Sequence, residues 1–187
     1  MTRAVAFFRN VNLGRPPSPS RRVLEQAFVD AGADSAVSFL TNGTVVFDAA
    51  ETEAVVTAAC GLLSRRCGLA EPAFVRTMRA LERLVAVDRF ATVRAQVHEC
   101  VVTFLSPRAR FPATAPRVTP RGDVEVLGFT TSEVFSVTRV VGRSPGSPNA
   151  FLEKALARPA TTRNWNTVNR LVAKFSALPG RASQRNR

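Results

Sequence analysis

The chain opens on a short apolar run, Ala4–Phe8, whose aromatic and aliphatic content predicts a first strand. Arg9–Pro19 breaks that pattern with Gly14, Pro16, Pro17 and Pro19 and reads as a loop. Apolar residues then recur at helical spacing: Val23, Leu24, Ala27, Phe28 and Ala31. Ser20 stands where an N-cap belongs, and Gly32 where the helix must stop. Next, Asn42-Gly43 separates Ala36–Leu40 from Val45–Phe47, a strong hairpin signal. Both residues tolerate positive φ, so a two-residue type I′ turn is expected. A second helix fits Glu51–Arg66, with Val55, Val56, Ala59, Cys60, Leu62 and Leu63 on its apolar side and Gly68 at its end. Ala73–Thr77 reads as a fourth strand. The order βαββαβ is the ferredoxin-like one, with both helices expected on one face of a four-stranded antiparallel sheet.

The second half predicts a short helix over Ala80–Val87 and a buried strand over His98–Leu105. A proline-rich loop follows over Ser106–Gly122, then strands over Val124–Phe129 and Val134–Val141. Gly142–Pro148 has loop composition, and a short helix spans Ala150–Leu156. The last helix is expected to start near Thr162, with Trp165, Val168, Leu171, Val172, Phe175 and Leu178 as its stripe and Pro179-Gly180 as its end. No internal repeat is visible, although the element counts allow the second half to echo the first. The fold class is therefore α+β: a ferredoxin-like half over 1–79, a smaller α+β half over 80–178 packed against it, and a disordered basic tail over 179–187.

Composition narrows the chemistry. The 187 residues are 45% hydrophobic and 21% charged, which suits a globular chain. Lys+Arg number 26 against 14 Asp+Glu, a net charge of +12, and only Lys154 and Lys174 are lysines. GC-rich coding explains a bias towards Arg but not its placement. No acidic residue follows Glu153, after which come Lys154, Arg158, Arg163, Arg170, Lys174, Arg181, Arg185 and Arg187. A second unopposed stretch holds Arg108, Arg110, Arg117 and Arg121. Charge distributed so unevenly attracts phosphates or acidic surfaces.

Other features exclude familiar chemistry. With one histidine, three cysteines and no tyrosine, a zinc site would consume nearly every soft ligand, so no metal or cofactor is expected. Cys60, Cys67 and Cys100 lack C-x-x-C spacing and read as reduced thiols, the first two as packing residues. Neither a signal segment nor a membrane span is legible, which places the expectation in the cytoplasm. His98 has no nucleophile context and reads as structural, while Asp123 and Glu125 read as a solvated strand face. Neither a glycine-rich phosphate loop nor the aromatic strand signature of RNA-binding sheets is present, so any nucleic-acid contact would be electrostatic and sequence-independent.

Three segments carry a resemblance. They are Phe7-Phe8-Arg9-Asn10-Val11-Asn12-Leu13-Gly14, Thr41-Asn42-Gly43-Thr44-Val45-Val46-Phe47, and Thr161-Thr162-Arg163-Asn164-Trp165-Asn166-Thr167-Val168, the last preceded by Ala150-Phe151-Leu152-Glu153-Lys154. In this order they resemble the family called domain of unknown function 1697, found mainly in bacteria, over nearly the whole chain. The resemblance implies an α+β fold of ferredoxin-like character and brings no assigned activity. This chain departs from the family's pattern: Asn10 stands where a glycine is usual in R-G-I-N, Arg15 stands at a second glycine position, and Asn42-Gly43-Thr44 replaces S-G-N.

The candidate site is built from polar residues beside these motifs. Arg9, Asn10 and Asn12 follow the first strand, and Asn42 lies in the hairpin. Arg163, Asn164 and Asn166 surround Trp165, expected as a core anchor, at what is expected to be a helix N-terminus, where free amides favour an anion. If the strand end and the helix start meet, Arg9, Asn12, Arg163 and Asn166 form one cleft rich in donors. The expected function is non-catalytic binding of a phosphate- or carboxylate-bearing ligand or an acidic partner. The alternatives are a metal-free enzyme acting on an anionic substrate and non-specific nucleic-acid binding.

Overall fold

The computed structural model describes residues 1–93, 96–107, 109–112 and 114–176; Arg108, Leu178 of the expected helix stripe, the helix stop at Pro179-Gly180 and the basic tail lie outside the described residues. The chain divides into two compact units, Met1–Arg83 with the chain from Leu171 onward, and Leu84–Arg170.

In the first unit, β1 (Thr2–Phe8), β2 (Ser35–Phe39), β3 (Thr44–Ala49) and β4 (Ala73–Thr77) form a sheet in the order β2-β3-β1-β4. Every pairing in it is antiparallel. Helices α1 (Arg21–Asp30) and α2 (Thr52–Cys67) complete the expected βαββαβ order, consistent with a ferredoxin-like arrangement. Alternation along β1 sends Ala4, Ala6 and Phe8 into one core with Leu24, Ala27 and Phe28 of α1 and Val55, Val56, Ala59 and Leu63 of α2. Val5 and Phe7 point to the opposite face and are buried too, which is why this strand reads as a continuous apolar run rather than an alternating one. Phe28 sits against Phe47 at 5.1 Å and Phe8 at 6.1 Å, and burying such a ring contributes roughly 1.5–3 kcal/mol. Ser20 caps α1 through Val23 N–H, and Gly68 ends α2 at φ 68°, as the sequence predicts.

The β2–β3 connection differs from the expected two-residue turn. Phe39 pairs with Thr44, so four residues, Leu40–Gly43, make the link. Positive φ falls on Leu40 (60°) and Gly43 (66°). The cause is tertiary: a Cβ on Gly43 would lie 2.6 Å from Val11 Cβ, so this glycine is needed for the loop to lie against the segment after β1.

In the second unit, β5 (Glu99–Leu105), β6 (Val124–Phe129), β7 (Glu133–Thr138) and β10 (Ala160–Asn164) form an antiparallel sheet in the order β10-β5-β7-β6. Between them come a small ladder of β8 (Val140–Val141) with β9 (Ser144–Pro145), and then helix α4 (Pro148–Leu156). The expected strand over Val134–Val141 is thus two: the ladder breaks at Arg139, whose N–H turns to Asp123 O at 2.9 Å. The expected Gly142–Pro148 loop holds β9 as well. Strand β10 is a correction to the expected last helix. Thr161 and Thr162 are β-branched, and β5 offers them a ladder, Thr161 opposite Phe104 and Thr162 opposite Thr103. Helix α5 (Trp165–Phe175) therefore begins at Trp165, and Asn164, not Thr162, accepts the entry bond, from Asn166 N–H at 2.9 Å.

Both sheets share one topology, fourth-first-third-second in each unit's own strand order, with Ser106–Gly122 standing where α1 stands in the first. Helix α3 (Met78–Ala86) follows β4 directly, as α5 follows β10. Although no internal repeat is expected from the sequence, at one constant offset Arg76, Arg83, Leu84, Val85 and Ala86 match Arg163, Arg170, Leu171, Val172 and Ala173, a correction that the shared topology brings out. The unit boundaries fall after Arg83 and after Arg170, at equivalent points of this echo.

Candidate functional site

The end of β1 is pinned from two sides. Because β4 runs antiparallel to β1, with Phe8 opposite Ala73, the residues just before β4 lie beside those just after β1. Arg9 N–H donates to Pro72 O at 3.0 Å. The β2–β3 loop holds the other side: Phe8 N–H donates to Gly43 O at 2.8 Å and Leu13 N–H to Thr41 O at 2.7 Å. Asn42 is fixed by Thr44 Oγ1, which donates to its Oδ1 at 2.8 Å. Asn12 N–H donates to Ser18 Oγ at 3.0 Å.

Glu71 is the residue that sequence reasoning missed. Arg9 Nη1 donates to Glu71 Oε2 at 2.8 Å and Asn10 Nδ2 to Glu71 Oε1 at 3.3 Å, one donor on each carboxylate oxygen. The side chains of Arg9 and Glu71 are 26% and 30% exposed, so the pair is reachable from solvent. The βαββαβ order already implies that the fourth strand borders the first, which was the available signal for a partner just ahead of Ala73. Asn10 holds φ 52°, the left-handed region that glycine enters without strain.

Arg163, Asn164 and Asn166 belong to the second unit. Arg163 lies on β10, opposite Val102, and is 7% exposed. Its Nη1 donates to Thr161 Oγ1 at 2.8 Å and Thr162 O at 2.9 Å. Burial pushes its guanidinium down to about 10, so it stays cationic at neutral pH. Thr162 Oγ1 meets Thr103 Oγ1 at 2.8 Å and Asn149 Oδ1 at 3.2 Å. Glu153 Oε1 accepts from Asn149 Nδ2 and from Ala160 N–H. These bonds give the polar residues of this motif a framework role, tying α4 to β10. Trp165 is the expected core anchor, 5.3 Å from Phe90 and 6.0 Å from Phe135.

The remaining candidates resolve into structure. Asp123 is buried and accepts from Thr119 Oγ1 at 2.6 Å, and Glu125 pairs with Arg139 at 2.7 Å, so the expected solvated face is in fact a bonded one. Cys60 packs on the first core, where burial pushes its thiol up, and Cys67 Sγ contacts Leu63 O. Among the described residues no cluster of His, Cys, Asp and Glu could hold a metal ion, and no helix is long and apolar enough to cross a membrane.

Residues 1–135 match the family described as "Protein of unknown function (DUF1697)"; the Thr161–Val168 motif lies beyond the matched span. No curated protein matches. Among solved structures, the chain is similar to "The structure of conserved bacterial protein SP0830 from Streptococcus pneumoniae" at 13% identity and a TM-score of 0.61, covering 92% of this chain and 97% of that one. At that identity the likeness is one of fold.

Proposed function

The chain belongs to the DUF1697 family, and we propose that it is a non-catalytic binding protein for a carboxylate- or phosphate-bearing small molecule, held at the end of β1. The observation that carries this reading is the convergence of Arg9 and Asn10 on both oxygens of one carboxylate. A guanidinium and an amide NH2 only donate, so the pair selects an anion over a cation. The loop that presents them is tied to β4 and to the β2–β3 loop, so little ordering remains to oppose binding. Asn12 and Asn42 border the same loop.

The test is a titration of the protein with succinate and with inorganic phosphate, followed by thermal unfolding and by the Asn10 side-chain amide resonances. A bound anion raises the unfolding temperature by mass action. Arg9→Ala is expected to remove the effect, with the unliganded unfolding temperature nearly unchanged, since a partly exposed pair contributes at most about 1 kcal/mol. Titration with no response to either anion would retire the reading. A second reading, electrostatic binding of polyanions, draws on the run of basic residues after Glu153, of which Lys154, Arg158, Arg170 and Lys174 are exposed.

A further inference from the structure

Glu71 does more in this arrangement than balance a charge. It is separated from Arg9 and Asn10 by sixty-odd positions and arrives beside them only because β4 pairs with β1. Its two oxygens are shared out between two different donors, one a guanidinium and one an amide, as those of a bound carboxylate would be. The two donors are adjacent in sequence, and Asn10 aims its amide there from a left-handed backbone that a residue with a Cβ adopts at a cost. The side chains of the ion pair are 26% and 30% exposed, so Glu71 can leave the pair without any opening of the core.

Resting on the reading above, we infer that Glu71 is an internal competitor: its carboxylate occupies the Arg9–Asn10 fork and is displaced by the ligand. The fork therefore matches a planar carboxylate better than a tetrahedral phosphate, and the ligand class is a small carboxylic acid. Affinity in the wild-type protein is set by the difference between ligand and Glu71. Glu71 is 30% exposed even while paired, so on release water solvates its charge at little cost. The displaced side chain remains near the site and repels a second negative group on the ligand, so it also discriminates between mono- and dicarboxylates.

The experiment compares wild type, Glu71→Gln, Glu71→Ala and Arg9→Ala, each titrated with acetate, succinate and inorganic phosphate and read by the Asn10 side-chain amide resonances. Glu71→Gln and Glu71→Ala are expected to bind succinate about three- to tenfold more tightly than wild type, with a smaller gain for acetate, in line with removal of one partly exposed ion pair and its repulsion. Arg9→Ala is expected to lose binding. Unchanged or weakened succinate binding in both Glu71 variants would overturn the competitor role, while the binding site would stand provided Arg9→Ala still loses the anion. Phosphate bound more tightly than succinate in every protein would overturn the carboxylate preference. No binding in any of the four proteins would overturn the site itself.

Discussion

Asn10 occupies a φ of 52°, in the left-handed region. A glycine satisfies that backbone without cost, whereas asparagine is among the few residues with a Cβ that tolerate it and adds an amide donor in return. That donor gives the loop its second contact with Glu71. Gly43 has no such latitude. At φ 66°, a Cβ would come within 2.6 Å of Val11 Cβ and 3.1 Å of Phe8 Cβ. Gly43→Ala is expected to cost about 2–4 kcal/mol, the sum of left-handed strain and overpacking. Chemical denaturation measures this, and the double variant with Val11→Gly, which removes the clashing Cβ itself, should lose less than the sum of the two single losses.

At the scale of elements, α1 and α2 are joined at their C-terminal ends. Arg66 Nη2 donates to Asp30 Oδ2 at 2.6 Å, and Gln26 Nε2 to Asp30 Oδ1 at 2.7 Å. A carboxylate at a helix C-terminus opposes the helix dipole, so these partners carry its stabilisation. The bond from Gln26, and then that from Arg66, hold the Asp30 carboxyl below its ordinary 3.8. A carboxyl lowered on folding contributes stability above its unfolded value, and that stability disappears as pH falls through the folded value. Asp30→Asn is therefore expected to be less stable than wild type at pH 7 and to approach it as pH falls below 3.8 through the lowered folded value. Denaturation midpoints measured at both pH values check this, and an equal gap at the two would dismiss the role of the charge. The same scale explains β10: Thr162, a residue with the capping ability of a helix start, lies on a strand because β5 supplies hydrogen-bond partners along it.

The charge balance belongs to the whole molecule. Asp48, Asp30, Glu71, Glu125 and Asp123 are each committed to an arginine, which leaves the excess of Arg unmatched by acids, most of all after Glu153. If that field binds polyanions, duplex DNA of arbitrary sequence should be retained at low salt and released steeply as salt rises. Deleting residues 181–187, with Arg181, Arg185 and Arg187, should reduce the magnitude of the log–log salt slope by up to about 2–3. No retention at low salt would remove nucleic acid from the partners. Apolar period, caps and turn residues are local signals, so the elements of the first unit and their βαββαβ order are legible in the residues, and that order implies the adjacency of β1 and β4. The sequence also marks Arg9, Asn10, Asn12 and Asn42 as polar residues at strand ends. Three features emerge in the folded chain alone: Glu71 meets Arg9 and Asn10, Arg163 is buried on a strand, and the second sheet repeats the topology of the first. The first depends on the register of β4 against β1 and on side-chain reach beyond the ladder, and the other two on which strand lies alongside which in the second unit. Register and pairing are settled by hydrogen bonds and packing between residues far apart in the chain, which no local pattern encodes.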